Sequence, residues 1–364
     1  MRVLVTGHLG YIGAELVPML VDAGHDVVGL DTDYYRDRDF RTEPLRVPTL
    51  DMDIRDVEQQ HLTGFDAVVH LAALSNDPVS ELNPELTYDI NLDASVGIAR
   101  AAKAAGVARF VFSSSCSLYG AGAEGALTED AEMEAVTPYG ESKVRAEQAI
   151  SALADDTFCP TFLRNATAYG ISRRLRTDVV VNNLVGHAVT SGKVLLMSNG
   201  AAWRPLVHVR DISHAIVTVL QAPPATVHNE VFNVGRNSDN HQIRDVAKMV
   251  ADIVPECEVA FADDVVVDIR NYVVDFTKIE TSLPGYAPQW TLATGIAEIH
   301  AAYVDAGLSA DRFNGNDFVR LRVLRELLDA DVLDADLRRD LGPDRLVEVR
   351  PSFLDHLAGH RICL

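Results

Sequence analysis

Strand-like and helix-like segments alternate along the first 165 residues of this chain, and this alternation is the feature that most constrains its fold. Apolar runs rich in β-branched residues predict strands at 2–6, 26–31, 66–71, 108–114 and 160–165. Apolar residues at helical spacing predict helices between them, at 11–22, at 84–105 and after Thr137. Strands and helices in this rhythm form a parallel sheet with helices on both faces. We therefore expect an α/β protein with a doubly wound parallel sheet.

The rhythm loosens after about residue 170, where shorter elements follow. Strands are predicted at 193–197, 230–234, 258–261 and 272–275, and helices at 211–221, 241–253, 294–306 and 318–328. This pattern predicts a smaller α/β subdomain packed over the carboxyl edge of the sheet. We expect three regions: the sheet domain at 1–170, the subdomain at 171–306 and a helical C-terminal extension at 307–364. The extension could be a lid, a dimer element or a solvated helical hairpin, and we expect the hairpin.

Charge and composition exclude several classes of protein. With 32 Lys and Arg against 53 Asp and Glu, the formal net charge is −21, which repels phosphate backbones and argues against nucleic acid as a partner. No apolar run is long enough to span a membrane, and the first residues enter a strand without the layout of a signal peptide. The four cysteines are widely spaced and form neither a disulfide framework nor a metal-binding pair. We expect a cytoplasmic protein without metal or membrane partners.

The first predicted strand leads directly into GHLGYIG at residues 7–13, a GxxGxxG motif at the start of the first helix. Glycines let the backbone turn tightly and approach a pyrophosphate, whose charge then meets the helix N-terminus. The motif predicts a Rossmann-type dinucleotide site. We expect the following residues of the motif to bind the cofactor: Gly7, Gly10, Tyr11, Ile12 and Gly13.

Asp31 ends the second predicted strand, 18 residues after Gly13. An acid at this place accepts the ribose hydroxyls and repels a 2′-phosphate, which favours NAD over NADP. Arg36 and Arg38 follow closely and could weaken that preference. Further candidates for cofactor contact are Asp53 and Ile54, and also Leu71, Ala72 and Ala73 at the end of the strand predicted at 66–71. For Asp53 the alternative is an ordinary loop residue.

Tyr139 and Lys143 form a YxxxK motif at the start of the helix that follows Thr137. The i, i+4 spacing places the phenol and the ammonium group on one face of the helix. Because a nearby cation lowers the pKa of a phenol, we expect Tyr139 to serve as a base near neutral pH. The serines at 113–115 lie at the carboxyl end of the strand predicted at 108–114, at the edge where open parallel sheets bind ligands.

The chain contains the motifs GxxGxxG, HLAA, SSSxxxYG and YxxxK in this order. With this combination the sequence resembles the extended short-chain dehydrogenase/reductases of the nucleotide-sugar epimerase/dehydratase group. The resemblance covers about residues 1–305. It implies a catalytic triad of Ser115, Tyr139 and Lys143, with Ser113 and Asn91 as further residues of the cofactor site. It also implies bound NAD, a nucleotide-diphospho-sugar substrate, and a homodimer formed through the helices at 84–105 and 139–154.

The implied reaction is transient oxidation of the sugar at C4. Tyr139 would take the proton of the hydroxyl, Ser115 would hydrogen-bond the same oxygen, and Lys143 would hold the ribose of the cofactor. The resulting ketone is then reduced on its other face. An enzyme of this kind keeps its NAD bound through the cycle.

Two positions depart from other branches of the group. Dehydratases carry an Asp-Glu pair after the triad Ser or Thr, and uronate decarboxylases carry a Glu at the second position, whereas this chain has Cys116 and Ser117. We therefore predict a 4-epimerase. The alternatives are an NAD(P)H-dependent 4-keto-sugar reductase and a 3,5-epimerase or dehydratase that uses Cys116, for which a buried structural thiol is also possible. A non-enzymatic dinucleotide sensor is disfavoured because Tyr139 and Lys143 are both present.

The diphosphate of the substrate needs local positive charge in so acidic a protein. Arg204 lies in a segment that resembles RxxxHVxD and is a candidate for this contact, and Arg270 is a second one. A surface ion pair is the alternative for either arginine. The complete set of substrate candidates is Ser75, Cys116, Ser117, Asn165, Thr167, Asn183, Leu184, Arg204 and Arg270.

Overall fold

A computed structural model describes residues 1–41, 47–75, 77–80, 83–120, 125–261 and 271–339 of the chain. The strands are β1 (Arg2–Thr6), β2 (Asp26–Asp31), β3 (Thr49–Asp51), β4 (Ala67–His70), β5 (Arg109–Ser115), β6 (Ala126–Leu127), β7 (Cys159–Asn165), β8 (Thr167–Tyr169), β9 (Lys193–Leu196), β10 (Trp203–His208), β11 (Glu230–Val234), β12 (Asn240–Gln242), β13 (Glu258–Phe261) and β14 (Val273–Val274). The α-helices are α1 (Gly13–Asp22), α2 (Asp77–Ser80), α3 (Pro84–Tyr88), α4 (Ser95–Ala104), α5 (Pro138–Ser151), α6 (Val180–Ser191), α7 (Val209–Gln221), α8 (Pro224–Val227), α9 (Ile243–Ile253), α10 (Thr277–Ser282), α11 (Leu292–Asp305), α12 (Ala310–Asn314) and α13 (Arg320–Asp329).

The main sheet has seven strands in the order β11-β7-β5-β4-β1-β2-β3, and every adjacent pair is parallel. β1 lies between β2 and β4, with Thr6 in register with Leu30 on one side and His70 on the other. Val3, Leu4 and Val5 have no exposed surface because helices cover both faces. These features confirm the predicted doubly wound parallel sheet.

The two faces of the sheet belong to different hydrophobic clusters. Val5 packs in a cluster with residues of α1 and α7, whereas Leu4 packs in a cluster with residues of α4 and α5. Neighbouring strand residues point to opposite faces, so an uninterrupted apolar strand supplies both clusters. The run of apolar residues in β1 therefore follows from its central position.

The second half of the chain builds smaller sheets beside the main one. β10 pairs in parallel with β8 and antiparallel with β12, and two further pairs join β9 with β13 and β6 with β14. Helices α6, α9 and α11 share a third hydrophobic cluster. β11 lies at the edge of the main sheet beside β7, although it comes from the 171–306 region. The division into three regions stays a prediction.

Several predicted elements have the bounds that the structure gives, among them the strands at 2–6, 26–31, 230–234 and 258–261. The predicted helix at 84–105 consists of α3 and α4 joined by a π-helical turn, Asp89–Ala94. Strands β6, β8 and β12 were not predicted, because each has only two or three residues. Strand β10 has six residues but was also not predicted, since Pro205 interrupts its apolar pattern.

The described part of the C-terminal extension packs against the rest of the protein. Phe313, Phe318, Leu324 and Leu333 are buried, and the ring of Phe313 occupies the space that a side chain at Gly186 would need. The prediction of a solvated hairpin is therefore wrong for residues 310–339, since the apolar side of α13 covers the core. Residues 340–364 lie outside the described residues.

Within the ranges given above, no helix combines the length and the apolar character needed to cross a membrane. In the same ranges, no group of three or more His, Cys, Asp or Glu side chains is arranged to hold a metal ion.

Replacing Leu324 by Ala tests whether the extension shares the main core. Leu324 has no exposed surface, so Leu324→Ala is expected to lower the free energy of unfolding by about 2–5 kcal/mol. Val332→Ala is the control, because this side chain is 44% exposed and its loss should change stability by less than about 0.5 kcal/mol. Denaturant titration measures both. Equal stability of the two variants would contradict the packing.

Candidate active site

A cavity of about 960 Å³ opens at the carboxyl ends of the parallel strands, a volume typical of cofactor and small-molecule sites. The predicted cofactor residues that line it are Gly7, Gly10, Tyr11, Ile12, Gly13, Asp31, Asp53, Ile54, Leu71, Ala72, Ala73, Ser113, Tyr139 and Lys143. The predicted catalytic and substrate residues that also line it are Ser75, Ser115, Ser117, Asn165, Thr167, Asn183, Leu184 and Arg204. One cavity thus contains nearly all of the predicted site.

The glycine-rich turn between β1 and α1 forms the floor of the cavity. Gly7 has a φ of +72°, and a Cβ built on it would lie 2.7 Å from the backbone nitrogen of Ala72. A Cβ on Gly13 would overlap the carbonyl oxygens of Gly7 and His8. Both positions therefore need glycine for α1 to begin directly against β1, with its N-terminus at the cavity. This geometry fits the pyrophosphate of a dinucleotide.

The carboxylate of Asp31 stands at the end of β2. It accepts hydrogen bonds from the backbone nitrogens of Leu9 and Asp33, at 2.9 Å each, which fix its orientation beside the glycine-rich turn. A carboxylate held in this place fits ribose hydroxyls. We call the part of the cavity lined by Asp31, Tyr34, Tyr35 and Ile54 the adenosine half.

Arg36 and Arg38, which could have favoured a 2′-phosphate, are engaged elsewhere. Arg36 pairs with Asp33 at 3.1 Å, and Arg38 contacts Asp317 and Glu326 at 2.6 and 2.5 Å. Neither arginine is among the lining residues of the cavity. The preference for NAD that Asp31 confers is therefore not opposed by these two side chains.

Tyr139 and Lys143 enter the cavity from the first turns of α5. The helix starts there because Thr137 caps it, accepting a hydrogen bond from the backbone nitrogen of Gly140 at 3.2 Å, and because Pro138 is favourable at the first helical position. Lys143 Nζ donates to the carbonyl of Ser113 at 2.8 Å and lies 5.9 Å from the centroid of the Tyr139 ring. Strand β5 and helix α5 thus bring the phenol and the ammonium group together.

Burial controls the protonation of both groups. It lowers the pKa of Lys143 to about 8, against a smaller opposite effect of Glu147. It also raises the pKa of Tyr139 to about 12, although a hydrogen bond with Ser115 works in the other direction. A nearby cation was expected to lower the pKa of the Tyr139 phenol toward neutral pH. This expectation is wrong for the phenol considered by itself, because desolvation of its anion outweighs the influences that lower the pKa.

A buried ion pair lies one helical turn beyond Lys143. Glu147 Oε2 and Arg164 Nη2 are 2.8 Å apart, and both side chains are almost fully buried. Arg164 also donates to the hydroxyl of Tyr119 at 2.9 Å. Tyr139, Lys143 and Glu147 follow one another at i, i+4 and i+8, so the pair supports the face of α5 that carries the candidate catalytic groups.

Asn91 does not line the cavity, which corrects its prediction as a cofactor-binding residue. It sits in the π-helical turn, where its Oδ1 accepts from the backbone nitrogen of Leu74 at 2.8 Å and its Nδ2 donates to the Leu74 carbonyl at 3.0 Å. The acceptor and the donor of the Asn91 amide are thus both paired with the backbone of one residue in the loop after β4. Asn91 therefore positions the lining segment that includes Ser75.

Cys116 also lies outside the cavity lining, which corrects its prediction as a substrate residue. Its side chain is fully buried, its thiol donates to the carbonyl of Arg164, and burial raises its pKa well above the usual range. Ser117 does line the cavity, and its Oγ lies 3.0 Å from that of Ser115. The thiol is thus structural in this fold.

Arg204 reaches the cavity from β10. It is 5% exposed, its Nη1 donates to the carbonyl of Trp203 at 2.7 Å, and its guanidinium lies 5.9 Å from the centroid of the Tyr272 ring. Arg270, the second candidate, lies outside the described residues.

Sequence reasoning missed several lining residues. Arg176 donates to the hydroxyl of Ser75 at 3.2 Å and pairs with Asp178 at 2.8 Å. Arg320 and Tyr35 line the adenosine half from the C-terminal extension and from the loop after β2. Arg176 follows the predicted substrate residues Asn165 and Thr167 closely along the chain, and this proximity was a usable signal, whereas nothing in the local sequence of α13 singles out Arg320.

Comparison with known proteins agrees with this geometry. Residues 3–235 match the model of the NAD dependent epimerase/dehydratase family. The UDP-glucose 4-epimerase of Lactobacillus helveticus is 32% identical over 273 residues, which cover 70% of this chain and 82% of that protein. The residue match and the shared architecture confirm the resemblance drawn from the motifs.

Two solved structures are also similar. The UDP-glucose 4-epimerase of Thermotoga maritima with UDP-glucose has a TM-score of 0.74 at 25% identity, covering 84% of this chain and 99% of that one. MoeE5 in complex with UDP-glucuronic acid and NAD has a TM-score of 0.73 at 27% identity, covering 84% of this chain and all of that one. With the glycine-rich turn, the Asp31 carboxylate and the Tyr139–Lys143 pair in one cavity, this chain is an enzyme of the NAD dependent epimerase/dehydratase family.

Proposed function

We propose that this enzyme is a nucleotide-diphospho-sugar 4-epimerase that acts through transient oxidation at C4. The observation that carries the proposal is the lining of one cavity by Ser115, Tyr139 and Lys143 together with the dinucleotide-type turn. The absence of an acid at positions 116 and 117 adds support, because dehydration and decarboxylation in the resembling group use acids there.

In this mechanism the protein moves one proton and holds one oxygen. Tyr139 takes the proton of the C4 hydroxyl, and Ser115 hydrogen-bonds the same oxygen in the alcohol and the ketone. Burial disfavours the anionic form of Tyr139, whereas the hydrogen bond with Ser115 and the positive charge of Arg176 favour it. When bound, NAD supplies the hydride acceptor for the oxidation and the hydride donor for the reduction.

Two arginines are the candidates for the substrate diphosphate. Arg204 and Arg176 line the cavity from β10 and from the segment before α6, and both are largely buried. A buried guanidinium is well suited to a phosphate oxygen. Because the related epimerases named above act on UDP-glucose or are solved with it, a UDP-hexose is the proposed substrate class. Asn165, Thr167, Asn183 and Leu184 are proposed to contact the same ligand.

The protein is also proposed to form a homodimer through α4 and α5. A shallow depression crosses these two helices, lined by Leu92, Asp93, Val96, Arg100, Arg145, Gln148 and Ala149. A surface with apolar residues between polar ones suits contact between two copies.

The reaction is tested by incubating the purified enzyme with UDP-glucose and UDP-galactose in D₂O and recording proton NMR spectra. We expect interconversion of the two sugars without deuterium at any ring carbon, because the hydride removed from C4 returns to C4. A 3,5-epimerase would introduce deuterium at C3 and C5 through the enol, and a reductase would act only on a 4-keto sugar with added NADH. Either result would contradict the proposal.

Tyr139→Phe is expected to lower kcat by about 10²–10⁴-fold, the usual contribution of a positioned acid–base group. NAD released on denaturation should remain at the wild-type level, since only one hydroxyl is lost. Tyr286→Phe is the matched control, because this buried tyrosine lies outside the cavity and its hydroxyl has no partner among the described residues. Residual activity of Tyr139→Phe near that of the control would exclude Tyr139 as the base.

The pH dependence follows from the same pair. Tyr139 and Lys143 carry one dissociable proton each, and the active form of the pair has lost one of the two. The pair loses its first proton near the Lys143 pKa of about 8. We expect kcat/KM to rise with pH up to about 8 and then level off. In Lys143→Met the proton must come from Tyr139, whose pKa is about 12, so the rise should move to higher pH. Lys143→Arg keeps the positive charge but has no proton to lose near pH 8, so its profile should also lack the rise near pH 8. An unchanged profile in Lys143→Met would refute this coupling.

A further inference from the structure

The C-terminal extension crosses the adenosine half of the cavity. The hydroxyl of Tyr34 donates to the carbonyl of Leu337 at 2.6 Å, and Arg339 Nη2 donates to the carbonyl of Asp33 at 2.6 Å. These bonds connect the extension to the loop that directly follows Asp31. The family match ends at residue 235, so the extension lies outside the matched region although the loop that it contacts lies inside it.

A second set of contacts fixes the beginning of α13 over the cavity. The backbone nitrogen of Thr177 donates to the carbonyl of Phe318 at 3.0 Å, immediately before Arg320. Val319, Arg320 and Leu321 line the cavity together with the loop after β2. The extension therefore supplies part of the cavity wall itself.

Arg320 is the charged group of this wall. Its side chain is 2% exposed, and its guanidinium lies 3.9 Å above the centre of the Tyr35 ring. Nη2 donates to the carbonyl of Arg174 at 2.9 Å, whereas Nη1 is buried without a hydrogen-bond partner among the described residues. Stacking on Tyr35 fixes the plane of the guanidinium, so the direction of the unused donor is also fixed.

A buried cation with an unused donor is unfavourable unless a ligand completes it. Burial lowers the pKa of Arg320 to about 10, with Arg176 and Arg174 acting in the same direction and Tyr35 and Asp178 in the opposite one. A phosphate oxygen is the ligand that suits a fixed guanidinium best, because it is anionic and accepts strong hydrogen bonds. The family cofactor and the sugar nucleotide both carry a diphosphate. Tyr35 follows Asp31 on the same loop, which favours the dinucleotide.

We propose that Arg320 is a residue of the dinucleotide site, where its guanidinium pairs with a phosphate of bound NAD, and that the extension which carries it closes the adenosine half. This inference goes beyond the proposed epimerase activity and depends only on the NAD dependence of the family. It can therefore fail while the epimerase proposal holds, and the reverse.

The test compares Arg320→Gln with Arg325→Gln, which changes an exposed arginine on the same helix outside the cavity lining. We expect Arg320→Gln to weaken NAD binding about 10- to 100-fold, the range expected for one hydrogen bond to a charged group. Calorimetric titration of the NAD-free proteins with NAD measures this change, and NAD released from freshly purified protein gives a second value. Arg325→Gln should bind NAD like the wild type. Binding by Arg320→Gln within twofold of the wild type would overturn the proposal.

The KM for UDP-glucose distinguishes the two diphosphates. An unchanged affinity for NAD together with a raised KM in Arg320→Gln would assign the guanidinium to the sugar nucleotide and overturn the dinucleotide assignment. Hydrogen exchange on the wild-type protein gives a measurement that needs no variant. Adding NAD to the NAD-free protein should slow exchange of the backbone amides in 318–339, and equal exchange in both states would also overturn the proposal.

Discussion

The parallel alignment of the seven strands is the constraint on which the rest of this structure depends. Because adjacent strands run in the same direction, β1, β2, β4, β5 and β7 all end at one edge of the sheet. That edge carries the glycine-rich turn, the Asp31 carboxylate, the small residues after β4 and the serines of β5. The order of strands places β1 between β2 and β4, where the connections diverge to the two sides and leave a crevice for ligands. The position of the candidate active site therefore follows from the parallel arrangement of the whole sheet.

Charge in the cavity is governed by burial. Lys143 and Arg320 both enter it with little access to water, and burial lowers the pKa of each. The Ser113 carbonyl and the nearby Glu147 compensate the charge of Lys143, whereas one donor of Arg320 has no hydrogen-bond partner in the part of the chain that the structure describes. Burial has the opposite effect on the pKa of Tyr139 and raises it, because the charged form of a phenol is the anion. A site of this kind is electrostatically incomplete as protein alone and suits an anionic ligand.

Local patterns were sufficient to predict the sheet, the glycine-rich turn and the Tyr139–Lys143 pair, because each rests on short spacings along one element. They were insufficient where contacts join distant segments. The role of Asn91 depends on a π-helical turn that aims it at Leu74, and the burial of Cys116 depends on the Arg164 carbonyl of a neighbouring strand. Arg320 lies 289 positions after Asp31 in the numbering, so only the folded chain brings it to the adenosine half. The extension was predicted to be a solvated hairpin because it contains many charged residues, and its one buried apolar side is difficult to recognise among them.

The position of the extension in the chain has a consequence for biosynthesis. Synthesis proceeds from the N-terminus, and every strand of the main sheet has been made by residue 234, whereas the segment that crosses the cavity begins near residue 318. Domains fold as they emerge from the ribosome. All strands of the main sheet and the glycine-rich turn are therefore synthesised well before the segment that completes the cavity wall. The part of the wall formed by Val319, Arg320 and Leu321 is therefore the last part of the cavity to be synthesised.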